Sequence, residues 1–178
     1  IKKSGIEAIL TAVDQCMELA EEYDITQLLA MATSAIKEAP NSNKILRKIE
    51  ERIGQSVTVL SGTDEARLTF LAARRWYGWD AGRLLMLDIG GSSLEVAMGS
   101  DEEPTVALSA AAGACRITRE YLPEGTASVD ELEVVRKKVR RILEPMVDAF
   151  PKSKHPAHAV GTSKMFRSLA RLAGAVLR

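Results

Sequence analysis

Leu84-Leu85-Met86-Leu87-Asp88-Ile89-Gly90-Gly91-Ser92-Ser93-Leu94-Glu95-Val96-Ala97-Met98 is the stretch that decides how this chain folds. An apolar run bounded by a turn signal reads as a buried strand. The run resumes after Gly90-Gly91-Ser92-Ser93 and stops at Gly99-Ser100, so two short strands flank a tight turn. Asp88 stands where the first strand enters that turn. Glycine lets a backbone come close to a ligand, and consecutive amides with the Ser92 and Ser93 hydroxyls can surround an anion. A carboxylate beside such a cradle can hold a divalent cation, or a water, against a phosphate. An ordinary hairpin with a polar tip has the same composition, so the stretch by itself sets the strands and leaves the chemistry open.

Composition narrows the alternatives. A chain of 178 residues fits one medium domain or two small lobes, and 46% hydrophobic content is enough for a core. Lysine plus arginine equals aspartate plus glutamate at 24 each, so no global field draws the protein to nucleic acid or lipid, and specific DNA binding is not expected. No apolar run is long enough to cross a membrane. Two cysteines, Cys16 and Cys115, suggest a reducing, cytoplasmic setting, and their apolar neighbours on helical faces place both in the core. The opening Ile1-Lys2-Lys3 is too short for a signal peptide, and the absence of an initiating methionine reads as part of a longer polypeptide.

Upstream of the decisive stretch, Ser4 to Glu7 has the form of a capping box. Ile6, Ile9, Leu10, Val13, Cys16 and Met17 then follow at helical spacing. Residues 25–31 read as a buried strand with Thr33 and Ser34 at its carboxyl end. A helix is expected over 41–53 and a short strand over 57–60. Ser61-Gly62-Thr63-Asp64-Glu65-Ala66 starts another helix, with Glu65 in the dipole-favoured first turn. Alternating helix and strand imply an α/β fold with a largely parallel sheet, and such sheets collect ligands outside their strands' carboxyl ends. Thr33, Ser34 and Glu65 lie at such ends. The break Gly78-Trp79-Asp80-Ala81-Gly82 divides the chain into residues 1–80, a first lobe lacking its N-terminal strands, and residues 81–178, a second lobe incomplete at its C-terminus.

Downstream, a third strand is expected over 105–109 and a helix from Gly113 to about residue 122. A second capping box, Ser128 to Glu131, opens a long helix that Pro145 should kink or end. A strand over 157–160 leads into Gly161-Thr162-Ser163 and a last helix. Trp76, Tyr77 and Trp79 read as packing anchors, and His155 and His158 as loop residues rather than metal ligands. Lys137, Lys138, Arg140 and Arg141 read as a solvated helix face, with a polyanion track as the sharper alternative.

Three phosphate-compatible turns thus occur, together with one carboxylate at a helix start. Ala32-Thr33-Ser34-Ala35, Ser61-Gly62-x-x-Glu65-Ala66-Arg67-Leu68, Asp88-Ile89-Gly90-Gly91-Ser92-Ser93-Leu94-Glu95 and Gly161-Thr162-Ser163-Lys164-x-Phe166-Arg167-Ser168-Leu169-Ala170 occur in that order. In this order they resemble the exopolyphosphatase / guanosine pentaphosphate phosphohydrolase family, in its actinobacterial branch. The resemblance implies an actin-like ATPase fold of the sugar-kinase/Hsp70/actin superfamily, with two ribonuclease-H-like lobes and phosphate bound in the cleft between them. It further implies Glu65 as the base that activates water, with its pKa raised in a closed cleft. Asp88 and Glu95 would be carboxylates for Mg²⁺ or water, with a monovalent cation as a further candidate. Gly90, Gly91, Ser92, Ser93, Thr33, Ser34, Gly161, Thr162 and Ser163 would hold phosphate oxygens.

The substrate implied is inorganic polyphosphate or guanosine pentaphosphate, and a homodimer of the full-length protein is left open. A binding module without turnover is the reading of another class. Departures from the family pattern stand at Ser92, where a third glycine is usual and a Cβ would be costly at positive φ. Others are Leu94 in place of threonine and Lys37 in place of arginine. The family's first loop, Asp-x-Gly-Ser-Asn, is not found, so the chain alone is expected to be inactive or nearly so.

Overall fold

The computed structural model describes residues 1–151 and 155–175, which form two units, the first Ile1–Ser61 and the second beginning at Gly62. The first contains α1 (Lys3–Glu22), β1 (Met31–Ala32), α2 (Ser34–Lys37), α3 (Ser42–Ile53) and β2 (Thr58–Val59), with β1 and β2 parallel. Ile45 and Ile49 lie on one face of α3 and are buried, and Gly54 in the left-handed region (φ 71°) closes that helix.

Two expectations for this unit are corrected. The strand occupies Met31–Ala32 alone, while Ile25, Leu29 and Met31 are at least half exposed. Strand structure persists only where a neighbour supplies hydrogen bonds, and the adjoining β2 is two residues long. The capping box at Ser4 does not form: α1 already begins at Lys3 and Lys2 caps it with no side-chain bond, so Glu7 lies within the helix and pairs with Lys3 instead.

The second unit contains α4 (Gly62–Tyr77), a 3₁₀ turn (Trp79–Ala81), β3 (Leu84–Ile89), β4 (Leu94–Gly99), β5 (Val106–Ala110), α5 (Ala114–Tyr121), α6 (Val129–Asp148), β6 (His158–Thr162) and α7 (Ser163–Leu172). The sheet order is β5-β4-β3-β6, with β3, β4 and β5 antiparallel and β6 parallel to β3. Alternation along the strands gives the sheet two apolar faces. Leu84, Met86, Ala97 and Val160 meet Phe70 and Ala73 of α4 on one; Leu94 and Val96 meet Met146 of α6 on the other. Full burial of side chains such as Phe70 contributes about 1.5–3 kcal/mol each.

α4 belongs with the sheet it covers, so the division falls before Gly62. The glycine-rich break is a connection inside the second unit. Buried Arg74 fastens it by donating to the carbonyls of Gly78 and Gly82. The capping box at Ser128 and Glu131 forms as expected, and α6 continues three residues past Pro145 to Asp148. The aromatic anchors do not hold: Trp76 is 86% exposed, and Tyr77 and Trp79 also face solvent. Cys16 and Cys115 are exposed rather than in the core. Lys137, Lys138, Arg140 and Arg141 are exposed on α6. Among the described residues, no helix is long and apolar enough to cross a membrane.

Candidate active site

Strand register assembles the site. Asp88 on β3 lies opposite Glu95 on β4, Glu95 opposite Ser109 on β5, and Asp88 opposite Thr162 on β6. Directly opposed residues project from the same side of a sheet, so Ser109, Glu95, Asp88 and Thr162 form one polar row. The row lies at the carboxyl ends of β3 and β6, on the face that α4 covers. The Ser109 hydroxyl donates to Glu95 Oε1 at 2.8 Å, and the Thr162 hydroxyl donates to Asp88 Oδ2 at 2.8 Å. Glu95 is 2% exposed. Burial pushes its carboxyl above the usual range, bonds from the Ser93 and Ser109 hydroxyls oppose that rise, and the neighbouring Asp88 carboxylate adds to it.

The turn after β3 is clamped from one side. Ala114 N–H donates to the Gly90 carbonyl, Arg116 N–H to that of Gly91, and Gly113 N–H to that of Ser92. The Arg116 guanidinium also donates to the Ser92 carbonyl at 2.9 Å. Because every described peptide bond is trans, a carbonyl and the following N–H point oppositely. The amides of Gly91, Ser92 and Ser93 therefore project away from α5, three in succession, as an anion-holding nest requires. Gly113 makes the clamp possible, since a Cβ there would lie 2.4 Å from the backbone of Ser92 and Ser93.

Gly90, Gly91 and Ser92 all lie outside the left-handed region. Ser92 therefore carries no backbone penalty, contrary to the expectation. Among the site residues the left-handed conformation falls on Ser163, with φ 75° and a buried hydroxyl that has no hydrogen-bond partner. Ser163 and Lys164, at the start of α7, line a groove of about 350 Å³ with Gly90, Gly91, Ala114 and Cys115. Gly161 has a packing reason, because a Cβ there would lie 2.6 Å from the Phe166 ring.

Glu65 sits in the first turn of α4, half-buried. At the start of that helix, Gly62 lies against Ser109: a Cβ on it would be 2.4 Å from the Ser109 hydroxyl. Glu65 follows Gly62 by three residues and so shares its side of the helix, and helical side chains lean toward the N-terminus. The acidic turn of α4 thus opens beside the outer end of the polar row. Thr33 and Ser34 lie in the first unit, where Thr33 caps α2 without a side-chain bond.

Sequence reasoning missed Ser109 and Arg116, and took Gly113 only as a helix opening. Ser109 could have been found by pairing the third predicted strand with the second and asking what stands opposite Glu95. Among the described residues, no three His, Cys, Asp or Glu side chains gather to hold a metal. The two carboxylates of the row are hard oxygen donors and fit Mg²⁺, which takes one or two protein carboxylates and completes its shell with water and phosphate.

The chain is similar to Exopolyphosphatase 1 of Mycobacterium tuberculosis, 46% identical over 176 residues, which is 98% of this chain and 51% of that protein. It is similar to Exopolyphosphatase 1 of Mycobacterium leprae at 43% identity, covering 98% of this chain and 52% of that protein. The chain thus spans about half the length of the curated relatives it matches. An exopolyphosphatase structure from Cytophaga hutchinsonii superposes with a TM-score of 0.85 at 22% identity, over 97% of this chain and 55% of that one. The Aquifex aeolicus PPX-GPPA enzyme gives 0.76 at 22% identity, over 99% and 56%. The α/β fold is therefore shared with these two structures. The profile of the Ppx/GppA phosphatase family matches residues 1–177, and with the carboxylate row and the amide turn both in place, this chain belongs to that family.

Proposed function

We propose that this chain carries the water-activating and phosphate-holding residues of an exopolyphosphatase, which releases terminal phosphate from inorganic polyphosphate. The observation that carries the reading is the row of paired carboxylates, Asp88 and Glu95, beside three outward amides of the 91–93 turn. Transfer of a phosphoryl group to water needs little covalent help from the protein and much positioning and charge neutralisation. The amides of Gly91, Ser92 and Ser93 hold the phosphate oxygens. Glu65 takes the proton of the attacking water. When bound at Asp88 and Glu95, Mg²⁺ supplies charge neutralisation on the phosphoryl group. Ser163 adds its unpartnered hydroxyl, while the Thr162 hydroxyl is already engaged with Asp88.

Guanosine pentaphosphate as substrate is the second reading, since its terminal phosphate needs the same groups. The test is Glu65→Gln in the full-length protein, offered polyphosphate and guanosine pentaphosphate in competition with Mg²⁺ present. Phosphate release should fall on the order of 10²–10⁴-fold with the melting temperature unchanged. A rate equal to wild type removes Glu65 from the chemistry. Preference for guanosine pentaphosphate selects the second reading, and tight binding of both without release by the wild type marks a sensing module instead.

A further inference from the structure

Each carboxylate of the row is held from outside by a hydroxyl on the neighbouring strand. Ser109 on β5 donates to Glu95 Oε1, and Thr162 on β6 donates to Asp88 Oδ2, both at 2.8 Å. The arrangement reads hydroxyl, carboxylate, carboxylate, hydroxyl across four strands. Ser109 is in turn confined by Gly62, at a spot where even one added methyl would collide with its hydroxyl. A glutamate side chain has several rotatable bonds, and two adjacent carboxylates repel, so each needs a fixed donor to keep its remaining oxygens aimed inward.

We infer that Ser109 and Thr162 are positioning residues: they set Glu95 and Asp88 for a hard divalent cation and do not touch the substrate. This assigns a role to Ser109, moves Thr162 from phosphate ligand to carboxylate partner, and rests on the proposed function for its link to turnover. Outer partners of metal-holding carboxylates typically change affinity or activity 10–100-fold when removed.

The test compares Ser109→Ala, Thr162→Val and Thr162→Ser in the full-length protein. It reads kcat and KM for phosphate release from tripolyphosphate, and Mg²⁺ affinity by calorimetry without substrate. Ser109→Ala and Thr162→Val should lower Mg²⁺ affinity and kcat roughly 10–100-fold with KM within about threefold. Thr162→Ser, which keeps the hydroxyl, should stay near wild type. A rise in KM with kcat unchanged would make the hydroxyls substrate contacts and overturn the inference. So would Thr162→Ser as impaired as Thr162→Val, Mg²⁺ affinity equal in all variants, or no Mg²⁺ uptake by the wild type. Should Ser109→Ala fail to fold, the two Thr162 variants decide. Should the wild type release no phosphate, the proposed function fails while the calorimetry still judges this inference.

Discussion

At the scale of single residues, Glu95 shows a site built against stability. Its carboxyl is raised by burial and by Asp88, despite the serine hydroxyls that favour its charged form. A group whose folded pKa exceeds its unfolded value favours the fold while protonated and loses that contribution as pH climbs through the folded value. Glu95→Gln should therefore raise the melting temperature at pH 7 with divalent cations chelated. The gain should vanish as the pH falls toward the unfolded glutamate's range, near about 4. Equal gains at both pH values would show that ionisation is not the cause. Ser163 carries strain of another kind, since a left-handed φ costs a non-glycine residue roughly 1–2 kcal/mol. Ser163→Gly should stabilise by about 1 kcal/mol, a shift of roughly 2–4 °C, and slow phosphate release through loss of the hydroxyl. A variant both less stable and fully active would contradict this. Neither feature was legible in the sequence, because burial and φ are fixed by what surrounds a residue.

At the scale of elements, the turn and α5 form one piece. Gly113 fits against the turn backbone with no room for a methyl, whereas a Cβ on Gly91 would meet Cys115 Sγ at an ordinary 3.7 Å. Gly113→Ala should cost about 1–3 kcal/mol by overpacking and displace the amides of the turn, lowering phosphate release. Gly91→Ala should cost less than about 1 kcal/mol by the same principle. Denaturant titrations of the two variants check the order, and the reverse order would refute it. The sequence reading placed Gly91 among the phosphate-holding residues, expected the cost of a Cβ at Ser92, and took Gly113 as a helix opening. The two capping boxes carry the same lesson. Ser128 and Glu131 stand where their helix starts, while Ser4 and Glu7 lie inside a helix that begins at Lys3. The motif permits a cap, and the path of the incoming chain decides whether it forms.

At the scale of the molecule, stability is concentrated in the second unit. Its four-stranded sheet is covered on both faces by apolar helices, while the strands of the first unit are two residues long and the described part of its buried apolar set is Ala32, Ile45 and Ile49. Local opening is cheapest where few apolar contacts are broken. Native-state hydrogen exchange should be slowest in β3 and β4, and markedly faster in β1, β2 and α2. Equal protection in both units would show that they unfold together.

The apolar runs on either side of the glycine-serine turn were enough for the β3–β4 hairpin, the succession of helical and strand patterns for the α/β class, and the four ordered motifs for the family, because side-chain periodicity and turn chemistry are local properties. Packing and strand register settled that α4 covers the sheet, that Ser109 and Thr162 bracket the two carboxylates, and that Ser163 takes a left-handed φ. Those facts depend on register between strands and on close approach between segments distant in sequence, which no local pattern encodes.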